Sequence, residues 1–250
     1  MKFFVIADIH SCCTPMIAAL DEAGFDKTDT NHTLIVCGDA FDRGTQSVEV
    51  MEYLNSVERK VLIKGNHDDL LMELLKGRMP RATDAHNGTT ETIFQLGYKA
   101  GTTKFSDYCA EAYKKYVPLY NQMLNYFETE RYIFVHSWIP VKDKPDNIYN
   151  PDFDGTAFDE NWRNADEERW KAARWVNPYL FAQAGLKPEK TIVFGHWHTS
   201  WPRGRMEDGY EYGSRADFSA YYGDGYIGLD GMTTYSGKVN VLVVDDEFLK

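Results

Sequence analysis

Five short apolar runs, at 3–7, 33–37, 60–64, 132–135 and 191–194, each break off at a polar cluster, and this recurrence constrains the fold of the 250-residue chain more than any other feature. The clusters are Asp8 and His10; Asp39, Asp42 and Arg43; Asn66 and His67; His136; and His196 and His198. The runs are short and several are rich in β-branched residues, so each reads as a buried strand. Open α/β sheets collect their functional side chains where strands end, so clusters distant in sequence are expected to meet.

Helical spacing fills the gaps between the first three runs. Thr14 and Pro15 read as N-cap and first helical residue, with Met16, Ile17, Leu20 and Ala23 on one face before Gly24. A second helix over 45–57 carries Val48, Met51 and Leu54, and a third over 68–76 carries Leu70, Leu71, Leu74 and Leu75 before Gly77. Asp68 and Asp69 fall where a helix N-terminus favours negative charge. This alternation predicts an α/β fold.

Carboxylates, an amide oxygen and imidazoles in these clusters suit borderline divalent metals such as Mn, Fe, Zn or Co, and their donors suffice for two ions. No cysteine stands in any cluster, which argues against a structural zinc site. Two cations about 3.5–4 Å apart can clamp phosphoryl oxygens around an activated water, the equipment of a hydrolase.

In order and spacing, DIH at 8–10, GDAFDRG at 38–44, GNHD at 65–68, the late His136 in FVHSWIP and GHWH at 195–198 resemble the calcineurin-like metallophosphoesterases. The uninterrupted GDxxDRG resembles the serine/threonine phosphoprotein phosphatase branch and its bacterial and phage relatives, including symmetrical diadenosine tetraphosphate hydrolases. NGTTET at 87–92 resembles the helical insert of that branch, and 226–244 its last strand pair. The resemblance implies one domain over 1–250, with two packed mixed β-sheets flanked by helices in four layers. It implies two divalent ions, manganese foremost, and hydrolysis of phosphate monoesters by metal-bound hydroxide. Asp8, His10, Asp39, Asn66, His136 and His196 are the expected ligands, with Asp39 shared and His136 and His196 on the second ion.

His67 cannot easily point at the ion its neighbour Asn66 faces, so it is assigned to protonate the leaving oxygen, with Asp42 orienting its imidazole. Arg43 offers a planar fork for phosphate oxygens. His198 departs from the branch, which usually lacks a second histidine there; it is expected on the first ion, against the bland reading of a hydrogen-bonding imidazole. Ser11 stands where relatives usually have glycine. WVNP at 175–178 resembles the branch's Trp-containing motif, but no arginine follows it over 179–194, which leaves Arg174 as a non-equivalent stand-in for a substrate arginine.

Segments that leave the alternation border the strand ends and so bear on substrate choice. They are 79–130, expected as a helical insert or lid with a helix over 105–127; 141–168, an acidic region expected to turn helical near Phe158; and 200–225, rich in glycine and aromatics. NPDFDGTAFDEN at 150–161 imitates a calcium loop but has Asn where the bidentate twelfth-position Glu belongs, so it reads as a solvated acidic loop. Trp197, Trp201, Tyr210, Tyr212, Tyr221 and Tyr222, with Arg203, Arg205 and Arg215, could stack on a base or a phosphotyrosine; nearby carboxylates make a structural loop an equal reading.

Net charge is −11, from 27 basic and 38 acidic residues, which disfavours general nucleic-acid binding. Four cysteines, at 12, 13, 37 and 109, lack disulfide-framework spacing, and the adjacent Cys12 and Cys13 read as a reduced pair. No run approaches the ~18 apolar residues of a membrane span, and the opening residues are too few for a signal-peptide core, so a cytoplasmic protein is expected. A phosphorylated protein or small phosphate ester is the expected partner. A dinucleotide polyphosphate hydrolase and a non-catalytic binding scaffold on the same fold are the alternatives.

Overall fold

A computed structural model describes residues 1–142 and 157–247. In chain order the elements are β1 (Lys2–Ile6), α1 (Cys13–Glu22), β2 (His32–Cys37), α2 (Ser47–Ser56), β3 (Lys60–Ile63), α3 (Asn66–Leu75), α4 (Ala82–His86), α5 (Thr89–Gly97), α6 (Phe105–Tyr120), β4 (Phe127–Glu128) and β5 (Tyr132–Phe134). A 3₁₀ turn (Trp162–Asn164) then leads to α7 (Glu167–Ala173), α8 (Pro178–Gln183), β6 (Thr191–Phe194), α9 (Ser200–Arg205), β7 (Tyr221–Gly223), β8 (Tyr226–Gly228), α10 (Thr233–Ser236) and β9 (Leu242–Asp245).

Two mixed sheets result, ordered β3-β2-β1-β9 and β4-β5-β6-β8-β7. In the first, β1, β2 and β3 are parallel and β9 runs antiparallel to β1; in the second, β5, β6 and β8 are parallel, with β4 and β7 antiparallel at the edges. The central strands β1 and β2 are apolar on both faces because both faces are covered. Phe3, Val5, Ile35 and Ile63 meet Phe134, Val193 and Ile227 between the sheets. The alternate residues Phe4, Ile6, Leu34 and Val36 pack on α1, α2, α3, α5 and α6. Ile133, Ile192 and Phe194 face Trp138, Trp170 and Tyr179 on the far side. The order is therefore helix, sheet, sheet, helix. Each such side chain contributes about 1.5–3 kcal/mol by leaving water.

Several elements differ from expectation. α1 starts at Cys13, because Met16 N–H bonds Cys12 O and closes its first turn there; Pro15 is tolerated in that turn, where its missing N–H has no helical partner to lose. α3 starts at Asn66, so Asn66 and His67 form its first turn. α6 ends at Tyr120, because Leu124 exchanges backbone hydrogen bonds with Leu62 and Lys64 and runs beside β3. Over 79–130, α5 and α6 add Ile93, Leu96, Ala112, Tyr116 and Leu119 to the core. The turn expected near Phe158 begins at Trp162. β8 and β9 do not pair with each other but lie in different sheets. The calcium-loop mimic lies largely outside the described residues. Among those described, no helix is long and apolar enough to cross a membrane.

Candidate metal centre

The loops after β1, β2, β3, β5 and β6 converge, and their backbone is unusual. Among the described residues, non-glycine positive φ occurs at Asp8, His10, Ser11, Asp39, Asp42, Arg43, His196 and Met232, all but the last within or beside the predicted clusters. Such conformations cost about 1–3 kcal/mol each and collect at functional sites. They turn the chain back at once after the strand, so the side chains crowd together instead of continuing outward. Two glycines make this possible: a methyl group at Gly65 would overlap the Asp39 carboxylate, and one at Gly195 would overlap that of Asp8.

Asp39 is common to two donor groups, His10 with His67 and His136 with His196. His136 Nδ1 donates to Cys37 O at 3.0 Å, which leaves Nε2 as a lone pair, and Nε2 faces the Asn66 amide oxygen at 2.8 Å and Asp39 Oδ2 at 3.5 Å. His10 repeats the device: Nδ1 donates to Phe41 O at 2.9 Å and Nε2 lies 4.0 Å from Asp8 Oδ1 and 3.9 Å from Asp39 Oδ2. Lone-pair atoms held face to face repel unless a cation lies between them. Anchoring one ring nitrogen to fix the other is the usual arrangement behind metal-binding imidazoles.

Electrostatics agree. Burial, Asp230 and Asp39 push the Asp8 carboxyl well up from its ordinary value. Burial also raises Asp39, but His136, His67, His10 and His196 outweigh it and hold it below the carboxylate range. Burial pushes His10 and His136 down and lowers His196 to about 3, so these imidazoles are neutral, as ligands must be. Backbone N–H groups fix the carboxylates: His196 N–H donates to Asp8 Oδ2 at 2.9 Å and His67 N–H to Asp39 Oδ1 at 3.0 Å. The donor set is one that could hold two divalent cations: His10 and Asp39, with His67 also within reach and Asp8 beside them, would face one, and Asp39, His136 and His196, with Asn66 beside them, the other.

His67 Nδ1 donates to Asp42 Oδ2 at 2.8 Å, and Arg43 Nη2 sits 3.4 Å from His67 Nε2. Burial lowers the His67 imidazole, but Asp39 and Asp42 outweigh it and hold it above its usual value. His198 belongs to neither donor group. Its Nδ1 donates to Ser200 Oγ at 2.8 Å, while Nε2 faces Tyr212 OH at 3.4 Å and Glu211 Oε1 at 3.7 Å. It lines an open cavity of about 430 Å³ with Arg43, His196, Trp197, Trp201, Arg205, Tyr212 and Asp230. Arg174 is no stand-in for a substrate arginine: it is buried and bound to Asp69, Asn125 and Glu167, each at 2.8 Å. Arg205, paired with Glu211, is the second guanidinium on the cavity.

Three contributors escaped the sequence reading. Asp230 is buried on the cavity wall, and its burial raises it to about 6; the GLDG string after an apolar strand was its only local signal. Thr89 and Thr92 donate to Asp42 Oδ2 at 2.6 Å and Oδ1 at 2.9 Å. Both lie in NGTTET, whose local sequence signals a helical insert but no contact with the site.

The model of the calcineurin-like phosphoesterase family matches residues 1–216, and the chain belongs to that family. It is 31% identical over 134 residues to the asymmetrical bis(5'-nucleosyl)-tetraphosphatase PrpE of Bacillus velezensis, covering 50% of this chain and 53% of the relative. It is 25% identical over 137 residues to a symmetrical bis(5'-nucleosyl)-tetraphosphatase of Coxiella burnetii, covering 55% and 42%. The chain thus spans about half the length of the curated relatives it matches. A solved structure provisionally assigned as a diadenosine tetraphosphatase shares the fold, with a TM-score of 0.51 at 18% identity over 97% of this chain and 88% of that one.

Proposed function

We propose that the chain is a divalent-metal phosphohydrolase acting on phosphate monoesters, with phosphoserine or phosphothreonine in proteins as the leading substrate class. The observation that carries this is Asp39 standing in both donor groups, with the His67–Asp42 pair directly behind. Two cations held by the residues named above would supply Lewis-acid stabilisation of phosphoryl charge and activation of water. Arg43 binds phosphate oxygens. His67, with Nδ1 held by Asp42, presents Nε2 to the departing oxygen and gives it a proton.

The substrate preference follows from that proton. An alkoxide is a poor leaving group and needs it, whereas a nucleotide phosphate departs with little help. A dinucleoside polyphosphate is the second reading, supported by the cavity wall of Arg43, Arg205, Trp201 and Tyr212 and by the names of the two relatives. Turnover of an aryl phosphate, a phosphoserine peptide and diadenosine tetraphosphate, each with Mn, Zn, Mg or chelator, separates the readings. The proposal expects metal-dependent release of phosphate from the peptide. Turnover of the dinucleotide alone favours the second reading, and no turnover of any favours a binding scaffold.

A further inference from the structure

The Asp42 carboxylate is fully buried, and among the described residues its hydrogen bonds come from two elements remote in sequence. His67 Nδ1, on α3, and the Thr89 hydroxyl, on α5, both donate to Oδ2, at 2.8 and 2.6 Å. The Thr92 hydroxyl donates to Oδ1 at 2.9 Å and accepts from the Asp42 N–H at 3.1 Å, closing a small ring around the residue. The same helix face continues the grip. Gln95 Oε1 accepts from Ser47 N–H at 2.8 Å, and Asn87 O, just before α5, accepts from Arg43 N–H at 3.1 Å. Residues 89, 92 and 95 repeat every third position, so one stripe of α5 lies along the whole 42–47 loop.

We propose that Thr89 and Thr92 are positioning residues for proton delivery: they hold the Asp42 carboxylate in the one orientation that keeps His67 Nε2 on the departing oxygen. The inference rests on the phosphohydrolase reading. In the step concerned, water adds its oxygen to phosphorus, the bond from phosphorus to the ester oxygen breaks, and that oxygen takes the proton from His67 Nε2. The proton released by the water restores the imidazole. Neither threonine touches substrate. Without them Asp42 would keep its bond to His67 but could rotate about its side-chain axis, and the ring would follow. Cation binding should be unaffected, because none of the hydrogen bonds described for α5 reaches Asp8, His10, Asp39, Asn66, His136 or His196.

Thr89→Val and Thr92→Val preserve shape and remove only the hydroxyl. In the manganese-loaded protein each is expected to lower kcat on a phosphoserine peptide about tenfold, with KM and metal content within twofold of wild type. Turnover of an aryl phosphate with an acidic phenol should stay within twofold, and Thr→Ser at either position should restore the peptide rate. Equal losses on both substrates, loss of metal, or failure of serine to rescue would overturn the proposal. A second readout does not depend on turnover: in the zinc-loaded protein, the low-field proton resonance of the His67 Nδ1–H, assigned by its disappearance in Asp42→Asn, should shift in both valine variants. If that resonance moves while wild type turns over nothing, the positioning relation stands and the phosphohydrolase reading falls; if it does not move, the positioning relation falls by itself.

Discussion

Replacing His67 with Asn separates a proton donor from a metal ligand. The substitution is chosen from geometry: an asparagine Nδ2 reaches the place of the imidazole Nδ1, so the 2.8 Å bond to the buried Asp42 can be kept. Folding stability should therefore change by less than about 1 kcal/mol, whereas His67→Ala, which strips a buried carboxylate of a donor, should cost about 1–3 kcal/mol. What Asn cannot supply is a transferable proton at the Nε2 position. General acid catalysis contributes about 10²–10⁴-fold, or ~2.7–5.5 kcal/mol of barrier, so turnover of a phosphoserine peptide should fall by that order. An aryl phosphate with an acidic phenol leaves without help and should lose far less. The assay is steady-state turnover on both substrates, beside metal analysis and thermal denaturation of each variant. His67 also lies close to His10 and Asp39, so a ligand role is the alternative the experiment must exclude. Equal losses on both substrates, or release of an ion, would refute the assignment.

Arg43→Ala should raise KM and lower turnover with metal content unchanged, since a guanidinium on phosphate typically contributes a few kcal/mol in a water-poor site; activity within about twofold of wild type, ~0.4 kcal/mol, would move Arg43 out of the site. His198→Ala should leave metal content unchanged and act on KM, because His198 faces Ser200, Tyr212 and Glu211; loss of an ion would restore its reading as a ligand. Asp84 carries a pH prediction. Its hydrogen bonds from the Arg78 guanidinium, at 3.0 and 2.6 Å, hold its carboxyl below the usual range. Its contribution is thus fully present above the unfolded value of ~3.9 and lost as pH falls through the lower folded value. Asp84→Asn should be about 1 kcal/mol less stable than wild type at pH 7, the gap closing toward pH 3; a gap that is constant across this range in denaturant titrations would contradict it.

The strands were legible because apolar runs such as 33–37 have no exposed face and can only be buried on both sides. The clusters were legible because each follows such a run directly, whereas the ring orientations of His10 and His136 depend on the carbonyls of Phe41 and Cys37, 31 and 99 residues away. What escaped was set by contacts between distant segments. Nothing local to Thr89 or Thr92 reveals a bond to a carboxylate 47 or 50 residues away. Arg174 looked available because its partners Asp69 and Asn125 belong to other segments. The end of α6 was missed for the same reason: the helical composition of 121–126 is overruled by pairing with β3. The start of α1 was displaced because Ser11, forced into positive φ, delivers the chain directly into a turn.

The central claim is that Asp39 is shared by two bound cations, and metal stoichiometry tests it most directly. Wild type saturated with manganese and freed of excess should hold two ions per chain, and Asp39→Asn should lose affinity for both together, because each donor group contains that carboxylate. One ion or none in saturated wild type, or the loss of a single ion in Asp39→Asn with the other held at wild-type affinity, would contradict the account.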